Sequence, residues 1–122
     1  MIREVGIVTK EICDLLEISP PEDDRVYLGD TNIIHMKSRH PEAFEKYGEK
    51  IVEILAYPDY VRKNPKDGSI EYVREYFENN EFVKLAVRLS NTNKFYARSL
   101  YILNDSRVDR YVKDGRLLRV NS

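Results

Sequence analysis

From Ser69 onward the chain alternates. In "EFVKLAVRLS", Val83, Leu85, Val87 and Leu89 fall on one side of an extended strand, and Lys84, Ala86, Arg88 and Ser90 on the other. That period of two marks a strand with one buried face. "SIEYVREYFE" before it and "KFYARSLYIL" after it are equally rich in aromatic and branched residues, and the separators "NN" and "NTN" supply turn chemistry. Three strands in an antiparallel meander are expected, with helices covering the face of Val83, Leu85 and Val87.

Before Ser69 the spacing is helical. "VTKEICDLLEIS" sets Ile12, Leu15 and Leu16 at helical intervals behind Thr9, a candidate cap, and "PPEDD" ends the run. "RVYLG" reads as a short strand, followed by turn and cap chemistry at Gly29, Asp30 and Thr31. A second helix begins near Thr31. The ring of Pro41 disfavours helical geometry at His40, so this helix closes there and "PEAFEKYGEKIVEILAYP" starts another, with Phe44, Tyr47, Ile51, Ile54 and Leu55 as its apolar stripe. "DSRVDRYVKDGRLLRVNS" is a charged tail, helical to Lys113 and then a frayed or edge-pairing end. Helices come first and the sheet second. The pattern predicts an α+β fold with helices packed on one face of an antiparallel sheet. It divides into an N-terminal helical arm (1–24), a core (25–104) and a charged C-terminal extension (105–122).

At 122 residues and 42% apolar composition, the chain is one domain with a modest core. No apolar run approaches the roughly 20 residues of a membrane span, and "MIREVGIVTK" lacks the apolar segment of a secretory signal, so the expected place of work is the cytoplasm. Cys13 is the single cysteine; with Ile12, Leu15 and Leu16 around it, burial rather than chemistry is expected. The net charge of −1 excludes a uniformly basic coat, yet residues 1–30 carry three basic and eight acidic side chains and residues 31–122 carry seventeen and thirteen. The later part leaves room for a local basic groove.

Both histidines lie in "NIIHMKSRHPE". On a helix, positions five apart differ by about 140°, so His35 and His40 do not share a stripe, whereas two helical zinc ligands normally sit four apart. Arg39 stands one turn from His35 and Lys37 one turn from His40. Cations beside imidazoles suit an anion. A structural reading stands next to it, in which the histidines close a helix and Lys37 and Arg39 belong to a solvated face. The strands raise the same choice: Tyr72 with Arg74 and Tyr76, Lys84 with Arg88, and Tyr96 with Arg98 interleave aromatic and basic residues. Such a face either stacks bases and holds phosphates or is simply the wet side of an amphipathic sheet.

The segments "GDTNIIHMKSRHPEAFEKYGEKIVEILAYPDYV", "SIEYV", "VKLAVRLS" and "KFYARSLYIL" together resemble the phage-associated branch of the Barnase-EndoU-colicin-RelE-like nucleases, the BECR fold, over about residues 25–104. The sharpest elements are His35, Arg39, His40 and Pro41, an H-x-x-x-[RK]-H-P helix end, and Arg98-Ser99-Leu100-Tyr101, similar to the [KR]-[ST]-x-[YF] signature of EndoU-like sites. Ile102 follows Tyr101 where EndoU-like enzymes usually have proline, and their histidines lie farther apart in sequence.

The resemblance implies a ribonuclease that needs no metal or other cofactor. RNA brings its own nucleophile, the 2′-hydroxyl, so the site needs a base, an acid and a cation for the pentacovalent phosphorane. It implies catalytic roles for His35, His40, Arg98, Ser99 and Tyr101, and the cations of the helix and the basic-aromatic strand face add Lys37, Arg39, Arg88 and Tyr96 as candidate substrate contacts. Arg98 and Ser99, as neighbours on a strand, should point to opposite faces, so either a bulge brings both to the site or one is structural. The products would carry 2′,3′-cyclic phosphate ends. The setting implied is the host cytoplasm of a phage or mobile element, with RNA as substrate and, for a toxin, an inhibitory protein partner. Two other functions stay open: a catalytically inactive BECR-like module that binds RNA or a protein, and a partner-binding α+β domain whose histidines only close a helix.

Overall fold

In the computed structural model, which describes residues 1–120, the chain begins with a strand, Arg3–Ile7 (β1), and a helix, Lys10–Leu16 (α1). Thr9 caps that helix, its hydroxyl accepting from the Ile12 amide at 3.3 Å. A strand at Arg25–Leu28 (β2) leads into a helix at Asp30–Arg39 (α2), and Pro41 opens the next at Pro41–Tyr47 (α3). The single long helix expected after Pro41 is interrupted: Gly48–Lys50 form one 3-10 turn before Ile51–Ala56 (α4). Gly48 at the break gives close room to the Phe44 ring, which a Cβ there would meet at 3.0 Å. Then come strands Tyr60–Lys63 (β3), Ile70–Tyr76 (β4), Glu81–Leu89 (β5) and Phe95–Leu103 (β6), helix Asp105–Lys113 (α5) and a two-residue strand, Leu118–Arg119 (β7). The last two residues of the charged tail lie outside the described residues.

The strands make one sheet in the order β1-β2-β6-β5-β4-β3-β7. The expected meander β4-β5-β6 is its centre and is antiparallel. One pair is parallel: β2 runs beside the start of β6, Val26 opposite Phe95 and Tyr27 opposite Tyr96. Beyond Tyr96, α2, which follows β2 directly, packs alongside β6. The edge-pairing end of the tail is realised as β7 against β3, Val61 opposite Leu118.

On the first face of the sheet, Tyr72, Leu85 and Leu100 lie in register and are fully buried. With Val26, Val83, Val87 and Ala97 they form one core with Ile12, Met36, Tyr47, Ile51, Ile54 and Leu55 from the helices. Each such Val, Leu or Ile contributes about 1.5–3 kcal/mol of transfer free energy, which the amphipathic pattern secures. The N-terminal segment contributes to this core: β1 pairs with β2, and Ile12 and Cys13 are buried in it. The second face is covered in part by α5, where Val108 and Leu117 close over Val73. The rest of that face, towards β6 and α2, carries the candidate site.

Candidate active site

A single extra residue in β6 decides which side chains share the second face. Ala86 pairs with Ser99 and Val87 with Ala97, so Arg98 has no partner on β5 and forms a bulge. Ser99 therefore stands on the side of Ala86 and Lys84, as do Tyr96 opposite Arg88 and Tyr101 opposite Lys84. Arg98, exposed, lines an open cleft with Tyr96 and His35. A bulge is present at Arg98, which lines the cleft, while Ser99 is not among the residues lining it.

Helix α2 brings the histidines to this row. Asn32 turns back to accept from the Gly29 amide at 2.9 Å, fixing the start of the helix, and Met36, 1% exposed, anchors it on the core. His40 ends it: its N–H donates to the Met36 carbonyl at 3.0 Å, and its own carbonyl accepts from the Phe44 amide at 3.1 Å. It is at once the last cap of α2 and the residue before α3. The break at Pro41 holds the imidazole against Tyr101, ring centroids 4.1 Å apart and planes at 65°. Burial lowers the His40 pKa first, and the neighbouring charges of Arg39, His35 and Lys84 lower it further. The shift favours the neutral form of the ring, the form that can accept a proton.

Lys84 also stands over Tyr101, its ammonium 4.8 Å from the ring centre. A buried carboxylate steers it. Glu71, 5% exposed, forms an ion pair with Arg62 Nε at 3.0 Å and accepts from Asn64 Nδ2 at 3.1 Å and Lys84 Nζ at 3.4 Å. Arg62 faces Glu71 directly across β3 and β4, and Lys84 reaches it from β5. The lysine is held between a carboxylate and an aromatic ring, so its position is set before any ligand arrives.

The remaining sequence candidates divide. Arg88 is exposed on the second face opposite Tyr96, within the row. Arg39 is exposed at the end of α2 and its charge reaches His40. Lys37 turns the other way, its ammonium 5.4 Å from the ring centre of Phe44 in α3. The aromatic-basic run in β4 is not part of the face: Tyr72 and Tyr76 are 0% and 4% exposed in the helix-covered core, and Arg74 pairs with Glu53 at 3.2 Å. Their alternation was that of a core face, because the helices cover β4 on the tyrosine side. Glu71, Arg62 and Asn64 carried no sequence signal; a glutamate in "SIEYVREYFE" reads as a wet position until a cross-strand arginine is seen opposite it.

The side chains therefore gather on the second face: His35, Arg98 and Tyr96 at an open cleft, Ser99 next along β6, and Tyr101 in contact with His40 and Lys84. Chemically this is a proton acceptor, hydrogen-bond donors and cations beside aromatic surfaces, a set suited to a phosphodiester. A family model described as phage-Barnase-EndoU-ColicinE5/D-RelE like nuclease 3 matches residues 3–110. Neither the curated proteins nor the solved structures gave a match.

Proposed function

The chain belongs to the phage-Barnase-EndoU-ColicinE5/D-RelE like nuclease 3 family, and from that membership we propose that it is an endoribonuclease using the substrate's own 2′-hydroxyl as nucleophile. The observation that supports this reading is His40 packed against Tyr101, on the strand whose bulge carries Arg98. His40 takes the 2′-hydroxyl proton as the oxygen attacks phosphorus. His35, close enough for its charge to depress His40, delivers a proton to the departing 5′-oxygen. One P–O bond forms and one breaks, leaving a 2′,3′-cyclic phosphate and a free 5′-hydroxyl. Arg98 places its planar fork on the non-bridging oxygens, where charge builds in the phosphorane, and Ser99 adds a hydrogen bond. Tyr96 and Tyr101 offer faces for the flanking bases, and Arg88, Arg39 and Lys84 draw in the strand. No step requires a metal.

As an element of a phage or mobile element, the enzyme acts on RNA of the host cytoplasm as a toxin restrained by an inhibitory protein. The test is incubation of purified protein with mixed RNA in excess chelator, followed by analysis of product ends. Cyclic phosphate ends that disappear with His40→Ala and with His35→Ala, each by roughly 10²- to 10⁴-fold in rate, support it. Binding of RNA without cleavage by the parent assigns the chain instead to an inactive binding module. Growth arrest on expression, lost with His40→Ala, tests the toxin role.

A further inference from the structure

The chain after Asp105 builds a second cleft on the other side of Lys84. Val108 and Leu117 pack on Val73, with Tyr111 beside them, so α5 and the turn that follows stand over β3, β4 and β5. They enclose a cleft of about 410 Å³. Its walls hold five cations, Arg62, Lys66, Lys84, Arg107 and Arg116, against one carboxylate, Glu71. Three of the five are occupied: Arg62 and Lys84 by Glu71, and Arg116 by Asp114 at 2.6 Å while it stacks on Tyr111 at 3.9 Å. Lys66 and Arg107 make no ion pair among the described residues.

Lys66 is not on a loose loop. Its amide donates to the Asn64 side chain at 2.8 Å, the Gly68 amide donates to the Asn64 carbonyl at 2.9 Å, and Gly68 takes the positive φ of 75° that closes the turn. Arg107 sits in the first turns of α5, fixed by the Asn104 cap. Two cations that make no ion pair among the described residues, held on ordered backbone and lining one cleft, suit an anion. Tyr111 and Arg116 lie beyond residue 110, where the family match ends, so this wall is not part of the shared pattern.

We propose that this cleft holds the backbone phosphates of the same RNA strand, one or more nucleotides away from the scissile bond. The proposal rests on the ribonuclease reading of the first site. Lys84 is common to both, over Tyr101 on one side and on the cleft wall on the other. A strand lying along Tyr96, Arg98 and Tyr101 continues past Lys84 into the cleft. A cleft of this volume takes a nucleotide but not a duplex, whose stacked bases cannot be drawn between a helix and a sheet. The substrate is therefore single-stranded and several nucleotides long. Length beyond the first site is rewarded.

The experiment uses 2′-O-methyl oligonucleotides, which lack the attacking hydroxyl and cannot be cleaved by this route, of four and twelve nucleotides. Affinity is measured by fluorescence anisotropy across a salt titration for the parent and for Lys66→Ala/Arg107→Ala. Each phosphate contact on a single strand contributes about 0.7 to the slope of log K against log salt. The double variant should flatten the 12-mer slope by about 1.4 and weaken 12-mer binding about 25-fold at ~0.1 M salt, leaving the 4-mer unchanged. An unchanged 12-mer, or equal weakening of both lengths, overturns the proposal; so does a parent that binds both lengths equally. Arg107→Gln, which keeps the side-chain stem, should flatten the slope by about half as much. Because nothing is cleaved, failure of the ribonuclease reading appears separately, as absence of cyclic phosphate ends from ordinary RNA.

Discussion

The imidazole of His40 meets the ring of Tyr101 edge-on, with 4.1 Å between centroids, and Lys84 stands over the same ring. The contact joins the break between two helices to the central part of the sheet. Tyr101→Phe keeps the ring and should retain cleavage within a few-fold. Tyr101→Ala removes a pair worth about 0.5–1.5 kcal/mol beyond its buried area. It also lets water reach the imidazole, so cleavage should fall and the His40 titration, followed by NMR of the ring protons, should move up.

The pH dependence has a defined sign. Burial, then Arg39, His35 and Lys84, push His40 below the usual imidazole value of about 6.5. A base must be neutral, so the acid limb of kcat/KM should lie below that value, and Lys84→Met should move the limb upward. For stability, a lowered folded value means that His40 contributes above the ordinary imidazole range and that this contribution is lost as the pH falls through the folded value. Thermal unfolding of the parent should therefore weaken on acidification more than that of His40→Gln.

Arg98→Ala should weaken RNA binding by about 1.5–3 kcal/mol if the guanidinium holds a phosphate in a desolvated site. Arg98→Lys should recover only part of this, since an ammonium lacks the planar fork. Anisotropy titrations at several salt concentrations check both. Equal affinity of Arg98→Ala and the parent at every salt concentration assigns Arg98 to the solvated surface.

Glu71 is a matter of stability before it is one of binding. Its removal strands the Arg62 guanidinium and the Lys84 ammonium, whose side chains are 15% and 22% exposed. Loss of one member of a buried ion cluster costs about 3–5 kcal/mol, and partial exposure puts Glu71→Ala near the low end. The expected fall in Tm is about 10 °C, read by calorimetry, with a smaller fall for Glu71→Gln, whose amide oxygen still accepts from Asn64.

The central meander, α1 with its Thr9 cap, the closure of α2 at His40 and the extent of α5 were legible because each rests on local signals: alternation, capping oxygens and the geometry before Pro41. Strands β1, β3 and β7 were not, or only as a possible edge. They run five, four and two residues, too short for a period to show, and they exist because a neighbour offers an edge. The parallel pairing of β2 with β6 joins residues about seventy positions apart, which no local pattern records. Of the site, residue types and motif spacing single out His35, His40, Arg98 and Tyr101 as candidates; which of them face each other, His40 against Tyr101 and His35 across a cleft from Arg98, is visible only in the structure. The Glu71 cluster was not, because its meaning lies entirely in what faces it across the sheet.

The bulge at Arg98 also bears on how such a site is acquired. Struck from "FYARSLYIL", Arg98 leaves a strand that alternates without a fault, Phe95, Ala97, Leu100 and Ile102 inward and Tyr96, Ser99, Tyr101 and Leu103 outward. The arginine is thus an addition to a sheet already complete, and the core does not depend on it. A chain lacking Arg98 should fold at least as stably as the parent, measured by denaturant midpoint, while losing its grip on phosphate. One extra residue separates an uninterrupted strand from one that carries a charge at the open cleft, so that charge can be gained or lost without altering the alternation that builds the core.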